Sequence, residues 1–98
     1  MKQVHLLAAA EEEMNASAQY YENQLTGLGY RFLTEIERTI DATRAYPDSG
    51  SIMHPNIRRK LLRHFPFALL YRNTPEKIII LAVMHQHRKP DYWRTRTD

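Results

Sequence analysis

Residues 77–85 read Lys-Ile-Ile-Ile-Leu-Ala-Val-Met-His and form the most hydrophobic of the predicted strands. Branched apolar side chains pack well on a pleated surface, and an unbroken run of them predicts a central strand covered on both faces. A chain of 98 residues is long enough for one sheet and one core. We therefore expect a single domain over residues 1–98, built around this strand.

Two further strands are predicted immediately before it. Residues 57–64 and residues 67–72 are separated by a Phe-Pro turn, and residues 73–76 link the second of them to the apolar strand. Because side chains alternate along a strand, Phe67, Leu69 and Tyr71 are expected on one face. The three consecutive strands indicate an antiparallel arrangement.

The segments around these strands divide into a short strand, two helices and a loop. Residues 3–7 predict a strand, and residues 47–56, with two prolines, a glycine and two serines, predict a loop. Between them, apolar residues recur at helical spacing on two stripes: Ala10, Met14, Ala18, Tyr21 and Leu25 on the first, and Leu28, Phe32, Ile36 and Ile40 on the second. The second helix should end at about Ala45, before Pro47.

The predicted fold class is α+β, with two layers in the order β-α-α-β-β-β. Two amphipathic helices joined by few residues form an antiparallel hairpin, which packs on one face of a mainly antiparallel sheet. The other face must rest on the C-terminal tail, on loops or on a partner.

Charge is divided unequally between the two halves of the chain. Residues 1–50 hold 4 Lys and Arg against 8 Asp and Glu, net −4, and residues 51–98 hold 10 against 3, net +7. This asymmetry predicts that the basic half meets an anionic partner. The absence of cysteine excludes a disulfide scaffold and a thiolate metal site. The apolar run over residues 4–10 has the minimum length for a signal peptide, but His5 interrupts it and three glutamates follow it at once. No stretch is long and apolar enough for a membrane span, so a cytoplasmic protein without membrane contact is expected.

The basic strand is the first candidate site. Arg58, Arg59, Lys60 and Arg63 lie within six positions and cannot all point one way on a strand. They indicate either a charged edge strand that prevents sheet-to-sheet aggregation or a surface for phosphates or an acidic partner. With Arg88, Lys89 and Trp93 they form the predicted target-binding set.

A second candidate site follows the apolar strand. His85, His87, Arg88 and Tyr92 could carry acid–base chemistry on a phosphodiester, because imidazole titrates near neutrality and a cation can stabilise charge on phosphorus. The alternative is that these are solvated residues at a strand end, with Tyr92 and Trp93 packing in the core or in a dimer contact. A histidine pair needs a third ligand to hold a metal, so no metal and no cofactor are predicted.

The chain as a whole resembles the RelE/ParE toxin superfamily. The resemblance is carried in order by residues 20–21, 27–33, Ile40, Pro47 and Gly50, then by residues 57–59, 65–67, 71–72, 80–90 and 92–93. It implies the toxin of a bacterial type II toxin–antitoxin pair, neutralised by direct binding of a cognate antitoxin from the adjacent gene, and a toxin–antitoxin hetero-oligomer is expected. The antitoxin segment is expected to be acidic and partly disordered.

The resemblance is compatible with two cellular targets of the toxin. RelE-like members cut ribosome-bound mRNA without metal, using basic side chains and a tyrosine or histidine near the C-terminus. ParE-like members poison DNA gyrase. RelE-like members commonly carry arginine where this chain has Ala68, which favours a ParE-like gyrase inhibitor that is not an enzyme. If the chain is instead a ribonuclease, His85, His87, Arg88 and Tyr92 are its predicted catalytic residues. A non-toxic nucleic-acid-binding module is the third hypothesis.

Overall fold

Five strands and two long helices form the fold in this computed structural model, which describes residues 2–89 and 91–96. In chain order the elements are β1 (Gln3–Leu6), α1 (Ala8–Gln24), α2 (Leu28–Ala45), β2 (Ser51–His54), β3 (Ile57–Leu61), β4 (Phe67–Asn73) and β5 (Lys77–His85), followed by a 3₁₀ turn (Arg94–Arg96). The α+β prediction is confirmed.

The strands form one sheet in the order β1-β5-β4-β3-β2. β1 pairs in parallel with β5, in a register that joins Gln3 to Lys77, and the other pairings are antiparallel. The apolar strand β5 lies inside the sheet, between β1 and β4, as its composition predicts. Its centre is buried on both faces.

The sequence prediction of a loop over residues 47–56 is wrong in its second half. Residues Ser51–His54 form β2, which pairs with β3 through a tight turn at Pro55 and Asn56. Asn56 has a positive φ of 69° there, a conformation that asparagine tolerates better than most residues. β2 is four residues long and mostly exposed, so it lacks the alternation that identifies a half-buried strand.

The helix hairpin covers one face of the sheet. Phe32 and Ile36 of α2 are buried against Leu69, Ile78 and Ile80, and we call this the helical face. The helices approach closely where Gly29 lies against α1, since a Cβ there would stand 2.5 Å from the Ala18 carbonyl oxygen.

The start of α2 is capped by a carboxylate from α1. Glu22 accepts hydrogen bonds from the backbone N–H groups of Gly27, at 2.9 and 3.1 Å, and Gly29, at 3.0 Å. Helix N-terminal N–H groups lack partners within the helix, and their positive end favours an anion. Gly27 has a φ of 91°, which a residue with a side chain rarely adopts.

The opposite face, which we call the open face, is covered at its centre by the tail. Trp93 is 3% exposed and packs in a cluster with Ile57, Leu70, Leu81 and Met84. Of the supports that the sequence left open for this face, the C-terminal tail is observed, and Leu7, in the junction between β1 and α1, packs against the same cluster.

The loop after β3 explains why that strand ends earlier than predicted. β3 stops at Leu61 rather than at His64. The Glu35 carboxylate of α2 accepts the His64 backbone N–H at 2.8 Å and contacts its Nδ1 at 2.7 Å. These bonds turn the chain toward α2 and hold it there. Partial burial acts to raise the pKa of Glu35, but the hydrogen bonds from His64 and Arg63 outweigh it and lower that pKa.

Candidate functional site

The sheet sorts the basic strand onto two faces. In the β3–β4 register Arg58 lies opposite Tyr71 and Lys60 lies opposite Leu69. Tyr71 and Leu69 belong to the core beneath the helices, and directly opposed residues share a face. Arg58 and Lys60 therefore lie on the helical face, and Arg59 between them lies on the open face.

The two cations on the helical face are bound to the loop before β2. Arg58 Nη1 donates to the carbonyl oxygens of Asp48, at 2.9 Å, and Gly50, at 2.8 Å. Lys60 Nζ donates to Ser49 Oγ at 2.9 Å. Both side chains thus hold a loop in place, although the sequence assigns them to target binding.

Gly50 lies too close to Tyr71 to carry a side chain. Its N–H donates to the Tyr71 hydroxyl at 3.1 Å, and that hydroxyl donates to the Pro47 carbonyl at 2.6 Å. A Cβ on Gly50 would stand 2.6 Å from the tyrosine oxygen. The tyrosine therefore pins the same loop from inside the core.

On the open face, the Nε atoms of two arginines have no acceptor among the described residues. Arg59 lies opposite Leu70, and Arg72 is the next β4 residue on that face. The Nε atoms of both are buried and have no hydrogen-bond partner among the described residues. This distinguishes Arg59 and Arg72 from Arg58, whose guanidinium group is engaged.

The predicted histidines lie side by side at the end of β5. The His85 ring packs edge-on against Phe67, with centroids 5.0 Å apart, and the His87 ring lies 5.3 Å from it. The His87 backbone N–H donates to His85 Nδ1 at 3.1 Å. Accepting that bond places the proton of a neutral His85 ring on Nε2.

Arg88 and Tyr92 form a separate pair. The Arg88 guanidinium carbon stands 4.3 Å from the centre of the Tyr92 ring, and that of Arg96 stands 4.9 Å from it, so two cations stack on one ring. No side-chain hydrogen bond between described residues joins this pair to the histidines. The Arg88 backbone N–H donates to the His85 carbonyl at 2.9 Å, so a tight turn links the two pairs through the backbone.

A carboxylate from α1 fixes the tail. Glu13 accepts the Tyr92 hydroxyl at 2.6 Å, Arg96 Nη1 and Nη2 at 2.8 and 3.1 Å, and the Val83 backbone N–H at 3.1 Å. Arg96 Nη1 also donates to the Leu81 carbonyl at 3.0 Å. β1 ends at Leu6, opposite Ile80, so side chains of Glu13 and Arg96 bond the β5 backbone beyond the last β1 pair. We call Glu13, Tyr92 and Arg96 the tail latch.

The tail latch changes the chemistry of Tyr92. Burial, then the hydrogen bond to Glu13 and the charge of that carboxylate, raise the pKa of the phenol far above its usual value. Tyr92 therefore stays protonated at neutral pH, with its proton directed at Glu13. It is not placed to act as a general base.

The sequence assigns Trp93 to target binding or, in the alternative, to packing in the core. The structure buries its indole in the open-face cluster, where it completes the apolar cover of the sheet. Of the other predicted contact residues, Arg63, Arg88 and Lys89 are exposed.

Sequence reasoning missed Glu13, Arg96 and Arg72. A signal existed for Glu13, since it lies three residues after Ala10, at the border of the apolar stripe of α1. A signal also existed for Arg72, which follows Tyr71 and so must point to the opposite face. Nothing in the local sequence pairs Arg96 with Glu13.

Residues 2–89 and 91–96 contain no group of three His, Asp or Glu side chains that could hold a metal ion. Within the same ranges, no helix combines the length and the apolar character required to cross a membrane.

Comparison with known proteins now identifies the family. The family described as "ParE toxin of type II toxin-antitoxin system, parDE" matches residues 4–90. The solved structure "Chromosomal ParDE TA system from P. aeruginosa" is similar in fold, with a TM-score of 0.76 at 17% identity over 87% of this chain and 96% of that chain. The search of curated proteins finds no match. The match over residues 4–90 establishes that this chain belongs to the ParE toxin family of type II toxin–antitoxin systems.

Proposed function

We propose that this chain arrests growth by binding DNA gyrase and blocking replication, and that a cognate antitoxin neutralises it by direct binding. Membership of the ParE family supports this function. The structural observation that carries it is the state of Tyr92, because a hydroxyl committed to Glu13 at 2.6 Å is a poor catalytic group.

Ala68 supports the same choice between targets. It is fully buried on the open face, opposite Leu61 in the register. A buried methyl group therefore occupies the position where RelE-like proteins commonly carry a cation. Without that cation and with Tyr92 engaged, the chain lacks two of the groups on which the ribonuclease hypothesis depends.

The exposed cations are the proposed gyrase contacts. Arg63 and Lys89 are exposed, and the partly exposed Lys60 bonds to a serine hydroxyl that water can replace. Protein interfaces enriched in charge steer association and depend on ionic strength. We therefore expect inhibition to weaken as salt is raised.

The test is a supercoiling assay with purified gyrase. The chain is purified with the product of the adjacent reading frame, released in denaturant and refolded, and added in increasing molar ratio to gyrase and relaxed plasmid. We expect supercoiling to fall with toxin concentration, and Lys60→Gln with Arg63→Gln to require more protein. Unchanged supercoiling at excess of a folded, growth-arresting toxin contradicts gyrase as the target.

The side-by-side rings of His85 and His87 favour a second candidate function, the ribonuclease. Primer extension on mRNA after induction tests it. Discrete cleavage within codons that His85→Ala abolishes would establish the ribonuclease and displace the gyrase proposal. A third arm is colony counting after induction, since unchanged counts indicate a non-toxic binding module.

A further inference from the structure

A groove lined by cations runs between α2 and the loop that joins β3 to β4, and we call it the basic groove. Two hollows of about 320 and 260 Å³ form it, and their walls share Glu35, Arg38 and His64. Its cations are Arg31, Arg38, Lys60 and Arg63. Each hollow is small for a compact ligand, since small-molecule sites usually measure about 300–1,000 Å³. An extended ligand that crosses both hollows therefore fits the groove better.

The helix places two of these arginines in one line. Arg31 and Arg38 are separated by nearly two whole turns of α2, so their side chains leave the helix in almost the same direction, about 10 Å apart. Glu37 directly precedes Arg38 and therefore points about 100° away from that line. Asp41 lies 3.9 Å from Arg44. The wall formed by α2 thus presents two arginines to one side.

Most of the cations in the basic groove have no partner within the described chain. The guanidinium groups of Arg31, Arg38 and Arg63 are exposed and make no hydrogen bond or ion pair with any residue that the structure describes. Lys60 is bonded to the exposed hydroxyl of Ser49. Cations gathered along a cleft raise the local concentration of anions, so these side chains favour a ligand with several negative charges.

Glu35 is the one carboxylate among the described residues that line the groove. Its side chain is 12% exposed, and it accepts the His64 backbone N–H at 2.8 Å and contacts the His64 ring at 2.7 Å. It is therefore occupied within the fold and does little to repel an anionic ligand. Its bonds also hold the loop that carries Arg63 against α2, which fixes the distance between the two walls.

An exposed aromatic ring stands at one end of the basic groove. Tyr30 lines the first hollow beside Arg31, and it is 75% exposed. Proteins that bind single-stranded nucleic acid combine a cationic groove for the phosphates with aromatic rings on which unpaired bases stack. A peptide that folds onto a surface instead needs apolar area to bury, whereas the exposed side chains of α2 and the loop in this groove are mainly charged.

We propose that the basic groove binds single-stranded nucleic acid, with phosphates on its four cations and a base stacked on Tyr30. This inference goes beyond gyrase binding, for which no role is assigned to Tyr30, Arg31 or Arg38. Its test contains no gyrase, so either proposal can fail without the other. The chemistry is shared by DNA and RNA, and the experiment compares the two.

The experiment measures fluorescence anisotropy of a labelled oligothymidylate of about twelve nucleotides, within the usual site sizes of about 4–16, as the refolded chain is added. The groove variant is Arg31→Gln with Arg38→Gln. The control, Lys77→Glu, lowers the net charge by the same amount at an exposed position outside the groove. Tyr30→Ala removes the ring and Tyr30→Phe keeps it. Thermal melting establishes that every variant is folded.

We expect the affinity of the unmodified chain to fall about 50-fold between about 50 and 200 mM salt, since four phosphate contacts on a single strand give a slope of about −3 in log K against log salt. With two cations left, the groove variant should bind at least about tenfold more weakly at 50 mM salt, and its own fall should be only about sevenfold. Lys77→Glu should stay within about threefold of the unmodified chain.

The tyrosine variants test the stacked base separately. Tyr30→Ala should weaken binding about tenfold with an unchanged salt slope, since stacking of one base is worth roughly a factor of five or more. Tyr30→Phe should bind within about twofold of the unmodified chain. An oligouridylate of the same length provides the RNA arm, and the strand that binds more tightly identifies the natural source of the ligand.

Four outcomes overturn the proposal. The first is that the folded, unmodified chain does not bind either strand, and the second is that Lys77→Glu loses as much affinity as the groove variant. The third is that a DNA duplex binds as tightly as the single strand and Tyr30→Ala has no effect, which favours a duplex. The fourth is that polyglutamate of matched charge competes as well as the oligonucleotide, which favours an acidic protein.

Discussion

Replacing Glu13 by glutamine tests whether the tail latch holds the C-terminal tail on the sheet. The carboxylate accepts four hydrogen bonds, three of them from Tyr92 and Arg96. Glutamine offers one acceptor oxygen and an NH₂ group, which cannot accept. Arg96 then loses its counter-charge, and the donors must share a single oxygen.

The magnitude follows from how exposed the pair is. The Arg96 and Glu13 side chains are 19% and 18% exposed, between surface pairs, worth about 0–1 kcal/mol, and buried pairs, whose disruption costs about 3–5 kcal/mol. We therefore expect Glu13→Gln to lower the free energy of unfolding by about 2 kcal/mol. At about 4–8 °C per kcal/mol for a domain of this size, the melting temperature should fall by roughly 8–16 °C.

The chain supplies its own reporter for this experiment. Trp93 is the single tryptophan, and its indole is 3% exposed. Release of the tail moves the indole into water, so the fluorescence emission of Glu13→Gln should shift to the red below the melting transition. The control is Glu12→Gln, an exposed neighbour on α1 that loses the same charge. If Glu13→Gln shifts melting and emission no further than Glu12→Gln does, the tail latch is not what holds the tail.

Three further predictions follow from groups described above. The pKa of Tyr92 is raised in the docked tail. The contribution of the protonated phenol to stability is therefore complete below about pH 10, where the unfolded phenol is also protonated, and is lost as the pH rises further. The difference in tryptophan emission between the unmodified chain and Tyr92→Phe should change only above about pH 10. The pKa of Glu35 is lowered in the folded chain. The ionised carboxylate therefore stabilises the fold above the unfolded pKa of about 4.3, and this stabilisation is lost as the pH falls. Glu35→Gln should cost about 1–2 kcal/mol in urea titrations at pH 7, and a smaller cost below pH 4 is expected; equal stability at pH 7 contradicts this role. Gly29→Ala should cost about 1–3 kcal/mol by the same titration, because its Cβ would stand 2.5 Å from the Ala18 carbonyl oxygen, and an unchanged midpoint would mean that the helices separate at little cost.

The long elements of the fold could be predicted because their signals are local. Helical periodicity identifies α1 and α2, and the apolar run identifies β5. β2 could not be predicted, because its four residues are mostly exposed and its identity depends on pairing with β3. The end of β3 depends on Glu35, a residue of α2, for the same reason.

The site could be predicted by residue type but not by arrangement. The basic strand suggests a contact surface, and alternation requires that its cations divide between two faces. Which of them are engaged depends on loops and on the tail. The bonds of Glu13 to Val83 and Arg96 span 70 and 83 positions, and no local pattern carries information of that range.

The parallel pairing of β1 with β5 has a consequence for synthesis on the ribosome. β1 is synthesised first, yet its partner strand begins at Lys77. Tyr92 and Arg96, the partners of Glu13, are synthesised later still. Contacts of such long sequence separation form late, since the loop between them must close first. The first strand therefore remains without its partner strand, and Glu13 without its contacts in the tail, until nearly all of the described chain has been translated. A member of the ParE toxin family built in this way acquires its complete surface only when translation of that segment is almost finished.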